Sequence, residues 1–184
     1  CPFRCLFCHN PSLVLKSHFT DPIPKEKILE FLKSRQNKIE AVVFSGGEPT
    51  IYNEDLINFV NEVKKLNFLI KLDTNGINPK ILEKLLNLNL LDYIAMDIKA
   101  PFSKYEKICN TKINLKKIEN SINLIINSNV DYEFRSTIIK EFHKKEDVLN
   151  MAQMIKGAKK FVLQKFQTNT QIIDKNFLSN TSYD

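Results

Sequence analysis

Long apolar runs are missing from this 184-residue chain. Apolar runs are a few residues each, as at Leu85 and Leu86 or at 124–126, far short of the ~20 needed to cross a bilayer. No basic, apolar, small-residue leader opens the sequence, so a cytoplasmic setting is expected. No methionine precedes Cys1, and a preceding segment is expected to be missing from this chain. Arginine is scarce: of 27 basic residues, only Arg4, Arg35 and Arg135 are arginines. Nucleic-acid surfaces cluster their basic residues and use arginine freely. Here the lysines are dispersed, so the net charge of +6 reads as a solvated exterior. Neither nucleic acid nor membrane is the expected partner. No internal repeat or linker divides the chain.

What is present is the composition of a globular domain, 43% hydrophobic and 26% charged, with enough length for one core. Apolar residues recur at helical spacing over Lys25–Ser34 (Ile28, Leu29, Leu32), 54–66 (Leu56, Val60, Val63), 79–88, 115–127 (Ile118, Ile122, Ile125) and 144–155. Pro79 suits the first turn of its helix, where a missing N–H costs nothing. Short β-prone runs lie between them at Ala41–Phe44, 68–72, 93–98, 132–139 and 160–165. Strands alternating with helices predict a parallel sheet with right-handed crossovers. A closed eight-unit barrel needs ~250 residues. The expected fold is therefore α/β, a partial (open) βα barrel of about six parallel strands. Its first strand would precede Cys1 and be missing from this chain. Residues 1–167 form the domain, and 168–184 read as a polar C-terminal tail.

Only four glycines are present, and Gly46, Gly47 and Gly76 directly follow predicted strands. Loops at the C-terminal ends of strands carry the sites of βα folds. Glycines there let backbone approach a ligand closely.

Three of the four cysteines, Cys1, Cys5 and Cys8, fall within eight residues. They cannot all pair with one another, so reduced thiols and metal binding come first. Zinc would take a fourth ligand, with His9 or Cys109 in reach of the sequence. The stretch from Cys5 to His9 also fits a c-type haem attachment pattern, which leaves Cys1 unexplained and needs export. A thioredoxin-like pair would need a preceding strand and would not use Cys1. Three thiolates on a [4Fe–4S] cluster leave one iron open to a small molecule, as a catalytic zinc keeps an open position.

The spacing Cys1, Cys5, Cys8 resembles the radical S-adenosylmethionine superfamily. Ser45-Gly46-Gly47-Glu48-Pro49 resembles that family's strand-end loop. Two further segments, Asp73-Thr74-Asn75-Gly76 and Met96-Asp97-Ile98-Lys99, resemble its glycyl-radical activating enzymes, as does Cys8-His9-Asn10-Pro11. The resemblance implies a [4Fe–4S] cluster on Cys1, Cys5 and Cys8, with S-adenosylmethionine on its open iron. It places Phe7 against the adenine and Ser45, Gly46, Gly47 and Glu48 at the amine. It puts a monovalent cation near Asp73, Thr74 and Asp97, with the Ala95 backbone a weaker candidate. Arg135 is expected at the cosubstrate carboxylate and Gln164 at the ribose. The implied partner is a glycyl-radical enzyme, here anaerobic (class III) ribonucleotide reductase, with pyruvate formate-lyase activases as a neighbouring branch. The implied electron donor is a flavodoxin or ferredoxin. Plainer roles stand beside these: a helix-start charge for Glu48, helix caps for Asp73 and Asp97, and a solvent-facing or glutamate-paired strand arginine for Arg135. Other substrates of the same chemistry, a small molecule or an RNA base, and a zinc-stabilised binding module are the alternatives. His18, His143 and Cys109 carry no motif and read as ordinary residues.

Overall fold

The structure, a computed structural model, describes residues 1–167 and 171–174. The tail expected over 168–184 lies outside the described residues except for 171–174. Among the described residues five strands form one open sheet: β1 Ala41–Phe44, β2 Leu69–Thr74, β3 Tyr93–Asp97, β4 Asp131–Ile138 and β5 Phe161–Lys165. Their order in space is their order in the chain, and every pairing is parallel. α1 (Lys25–Ser34) precedes β1. Then α2 (Glu54–Lys64), α3 (Pro79–Asn87), α5 (Leu115–Ile126) and α6 (Lys145–Met154) make the crossovers. This is the partial barrel that the alternating pattern predicts.

Alternation along the strands separates core from site. Ile70 and Leu72 of β2 and Tyr132 and Phe134 of β4 are buried in one core with the helical stripes, including Val60 and Val63, Leu82 and Leu85, and Ile118 and Ile122. Burying each such side chain contributes roughly 1.5–3 kcal/mol. The intervening residues, Lys71 and Asp73, then Glu133 and Arg135, necessarily face the other way. Register places Asp73 beside Ala95 and Asp97 beside Arg135, so charged side chains from three strands gather at one end of the sheet.

With so little glycine, the chain turns on asparagine. Asn37, Asn67, Asn89 and Asn110 all have φ between +48° and +66°, just past α1, α2, α3 and the short α4 (Tyr105–Cys109). Asparagine is the side chain best able to adopt that left-handed conformation. Two features differ from expectation. β2 runs two residues past Leu72, so Asp73 and Thr74 sit on the strand itself. And α4 has no counterpart in the sequence pattern. The other boundaries agree within two residues.

Candidate active site

The cysteine segment has little regular structure. It closes on itself through Cys8 N donating to Cys5 O at 3.0 Å, and its other anchors are long-range. Arg4 N donates to Cys109 O at 2.9 Å. Ile173 N and Asp174 N donate to Cys8 O and Leu6 O at 3.2 and 3.0 Å, and the adjacent Ile172 is buried. Phe7 packs on Phe142 and Phe166, and His9 stacks on Phe166 with centroids 5.0 Å apart.

This segment forms one wall of a cavity of about 250 Å³ at the C-terminal ends of the strands. The opposite wall comes from the strand ends. Cys1, Cys5, Cys8 and Phe7 line it from one side, and Ser45, Gly46, Gly47 and Glu48 follow from the turn after β1. Asp73 and Thr74 of β2, Asp97 of β3 and Arg135 of β4 complete it. Twelve of the residues singled out in the sequence thus meet in one place. Gln164 and Ala95 do not line it: Gln164 is exposed on β5 and Ala95 is buried in β3.

The glycine turn brings the two walls together. Gly46 has φ of +125°, in the region that side chains avoid. A Cβ on Gly47 would lie 2.6 Å from Leu13 O and 2.8 Å from Cys1 N, too close for either to tolerate. Only glycine lets the cysteine segment lie against this turn.

Glu48 is only 2% exposed and knots two loops together. Its Oε1 accepts from Thr50 N (3.1 Å), Thr50 Oγ1 (2.5 Å) and Thr74 Oγ1 (2.8 Å), and its Oε2 from Asn75 N (2.7 Å). Burial still pushes its pKa above the usual carboxylate range, against these donors. Oε2 holds one donor and keeps room for another.

Asp97 is the opposite case. Burial opposes its charge, but the Lys99 ammonium at 2.9 Å from Oδ2 and Arg135 Nε at 3.1 Å from Oδ1 outweigh it, and its pKa lies below the usual range. Lys99 and Arg135 are held charged by the same contacts, in spite of their own burial. Arg135 also reaches Asp73 Oδ2 at 3.4 Å, where Ser45 Oγ donates at 3.5 Å. Arg135 therefore bridges the two carboxylates between which the sequence placed a monovalent cation. The second oxygen of Asp73, Oδ1, is buried without a hydrogen bond, with the Lys71 ammonium 3.6 Å away.

Sequence reasoning passed over three contributors. Lys99 and Asn75 stand inside the quoted motifs: Lys99 lines the cavity, and Asn75 Nδ2 donates to Cys1 Sγ at 3.4 Å. Cys109 is the third. Read as ordinary, it is fully buried, and its carbonyl accepts from Arg4 N at 2.9 Å. The interaction of the two thiols pulls Cys5 down and, with burial, drives Cys109 far up. Burial raises the Cys8 thiol.

The donor set suits a cluster. Three thiols face one cavity, with an amide donor on Cys1 and the Lys99 charge felt at Cys5. Among the described residues no three His, Cys, Asp or Glu side chains converge tightly enough for one metal ion. A multi-iron cluster takes each thiolate on a different iron, whereas a single zinc gathers them at one point.

The fold and site define a partial βα barrel with a three-thiol pocket at its strand ends. The chain belongs to the radical SAM superfamily, whose model matches residues 1–155. Members of this family use a [4Fe–4S] cluster and S-adenosylmethionine. A protein of Methanocaldococcus jannaschii, assigned as a glycyl-radical enzyme activating enzyme, is 31% identical over 173 residues, covering 91% of this chain and 70% of its own. A 7-carboxy-7-deazaguanine synthase of Buchnera aphidicola is 28% identical over 151 residues, covering 65% of this chain and 67% of its own. Among solved structures, anSMEcpe with bound AdoMet superimposes with a TM-score of 0.70 at 18% identity over 91% of this chain. The chain spans 49% of that structure, and the likeness speaks to the fold. No helix among the described residues is long and apolar enough to cross a membrane.

Proposed function

We propose that this chain is a glycyl-radical activating enzyme. The observation that supports it most is the convergence of Cys1, Cys5 and Cys8 with the turn after β1 and the ends of β2, β3 and β4 on one cavity. The 31% identity to the methanogen protein supports the activating branch. In this reading the partner is anaerobic (class III) ribonucleotide reductase, the electron donor is a flavodoxin or ferredoxin, and the setting is cytoplasmic.

Cys1, Cys5 and Cys8 would hold a [4Fe–4S] cluster as thiolates. When bound, the cluster supplies one electron that cleaves S-adenosylmethionine to methionine and a 5′-deoxyadenosyl radical. The chain's tasks are to bind, orient and shield. Glu48 receives the methionine amine on Oε2, in a position already set by Asn75 N. Arg135 receives the carboxylate through a planar fork suited to it, exchanging part of its hold on Asp97 and Asp73. Asp73 offers Oδ1, which accepts no hydrogen bond, to a donor or a monovalent cation. Phe7 presents a ring held by Phe142 and Phe166 to the adenine. The open sheet leaves the cavity accessible to a loop of the partner carrying the target glycine.

The alignment with the deazaguanine synthase favours a second reading, in which the same radical acts on a small molecule. Electron paramagnetic resonance separates them. The reduced, reconstituted protein with S-adenosylmethionine and an anaerobic ribonucleotide reductase should produce a glycyl radical on the reductase. A full yield of 5′-deoxyadenosine with no glycyl radical on any such partner would favour the small-molecule reading.

A further inference from the structure

The turn after β2 holds one side chain firmly against the cysteine segment. Asn75 follows the last residue of β2 and is only 5% exposed. Its N–H donates to Glu48 Oε2 at 2.7 Å, and its side-chain Oδ1 accepts from Ile77 N at 3.0 Å. Beside it, Gly76 N donates to Thr74 Oγ1 at 3.1 Å, and Thr74 Oγ1 donates in turn to Glu48 Oε1 at 2.8 Å. Gly76 has a φ of +76°, and a Cβ there would collide with Met96 Cε. These restraints fix the shape of the turn. Because Oδ1 is held by Ile77 N, the other end of the amide, Nδ2, is the one that faces the Cys1 sulfur, at 3.4 Å. Cys1 is also the cysteine outside the local turn. Cys5 and Cys8 are joined by Cys8 N donating to Cys5 O, whereas the Cys1 carbonyl accepts from Arg4 Nη1 at 2.7 Å.

We infer that Asn75 is a positioning residue for the first cysteine of the motif. Its amide donates to the Cys1 sulfur, sets the direction of that thiolate and raises the cluster's reduction potential. This rests on the cluster reading of the site. The reduced state carries one more negative charge, and an N–H aimed at a ligand sulfur stabilises it. Hydrogen bonds to the sulfurs are among the features that set cluster potentials. Burial keeps water from screening the amide dipole. Asparagine suits the place because its side chain carries both an acceptor and a donor. The acceptor closes the turn, and the donor is left for the sulfur. The backbone of the same residue holds Glu48, assigned above to the cosubstrate amine. One residue thus sets Cys1 relative to that carboxylate.

The test uses the anaerobically reconstituted protein and three variants. Asn75→Ser and Asn75→Asp keep an oxygen to accept from Ile77 N and lose the Nδ2 donor, whereas Asn75→Ala loses both. Iron per chain and the midpoint of an EPR-monitored redox titration are measured. Iron should stay at the parent level in the Ser and Asp variants, because all three thiols remain. In the Ser variant the reduced-to-oxidised ratio at a fixed potential should fall about tenfold, a downward shift of about 59 mV for one electron. In the Asp variant, which sets a carboxyl oxygen against the sulfur, it should fall at least as far. Both keep the turn, so a failure of the alanine variant to fold leaves the comparison intact. Midpoints in Ser and Asp equal to the parent's overturn the inference. So does a shift confined to Ala, which would assign the effect to the turn. A loss of iron in Ser and Asp overturns it as well, by making Asn75 a requirement for assembly. A parent that holds no four-iron cluster overturns the cluster reading instead.

Discussion

The two walls of the cavity are built in different ways. The strand wall is held by a parallel ladder and by a chain of charges in which Lys99 and Arg135 pair with Asp97 and Arg135 reaches Asp73. The cysteine wall has only turns. It is held by single backbone bonds to Cys109, Ile173 and Asp174, by aromatic contacts and by the gap that Gly47 leaves. Charges gathered from three strands cannot move independently of the sheet, so that wall is organised before anything binds. The cysteine wall depends on its few contacts, and each is a point where it can be loosened while the sheet stays intact.

The comparison is broken most strongly from the strand side. Arg135→Met removes the bridge between Asp97 and Asp73. Hydrogen bonds to charged groups contribute about 1.5–3 kcal/mol, so S-adenosylmethionine should bind about 10–100-fold more weakly by calorimetry, with iron content unchanged. Iron loss in that variant would show that the walls are not separable. Gly47→Ala acts at the seam. Its Cβ must displace Leu13 O or Cys1 N, which should cost about 1–3 kcal/mol in urea denaturation, the usual range for overpacking, and should lower iron uptake. Ile172→Ala loosens only the cysteine wall. It should cost about 2 kcal/mol and speed hydrogen exchange at the Cys8 amide while leaving β2, β3 and β4 protected. Equal acceleration in the strands would contradict the two-wall picture.

The smallest effect concerns His143. It is buried, its Nδ1 accepts from Ile139 N at 3.1 Å and its Nε2 lies 2.9 Å from Lys99 O. A neutral ring donating from Nε2 satisfies both contacts. Burial holds its pKa below the usual histidine value. Its contribution to stability is therefore whole above the unfolded value of about 6.5. As pH falls below that, the unfolded chain takes the proton first and stability declines, until the folded ring is protonated as well. The slope from this one group is at most about 1.4 kcal/mol per pH unit. Urea midpoints from pH 7.5 to 5 should fall more steeply in the parent than in His143→Gln. Parallel slopes would remove the role.

Most of the fold was legible because the strands are short apolar runs and the helices carry clear stripes such as Ile118, Ile122 and Ile125. The end of β2 was not, because Asp73 and Thr74 are polar residues that read as loop and are strand only through their ladder with β3. Helix α4 was not, because five residues carry no periodicity and are held by contacts with the cysteine segment. The site was legible where motif and geometry coincide, as at Cys1, Cys5, Cys8 and the glycine turn. Glu48 was read at the cosubstrate amine, with a helix-start charge as its plainer role, and the four donors that tie it between loops did not show in the sequence. Lys99 and Cys109 were passed over because their importance comes from burial beside a charge or a thiol, which spacing along the chain does not display.

The central claim is that Cys1, Cys5 and Cys8 hold a cluster that opens onto a cosubstrate pocket. Anaerobic reconstitution followed by dithionite reduction with S-adenosylmethionine tests it most directly. The account predicts about four irons per chain, as a [4Fe–4S] cluster requires, and formation of 5′-deoxyadenosine, with both lost in Cys5→Ala. A parent protein that takes up only zinc, or that holds iron but leaves S-adenosylmethionine intact on reduction, would contradict it.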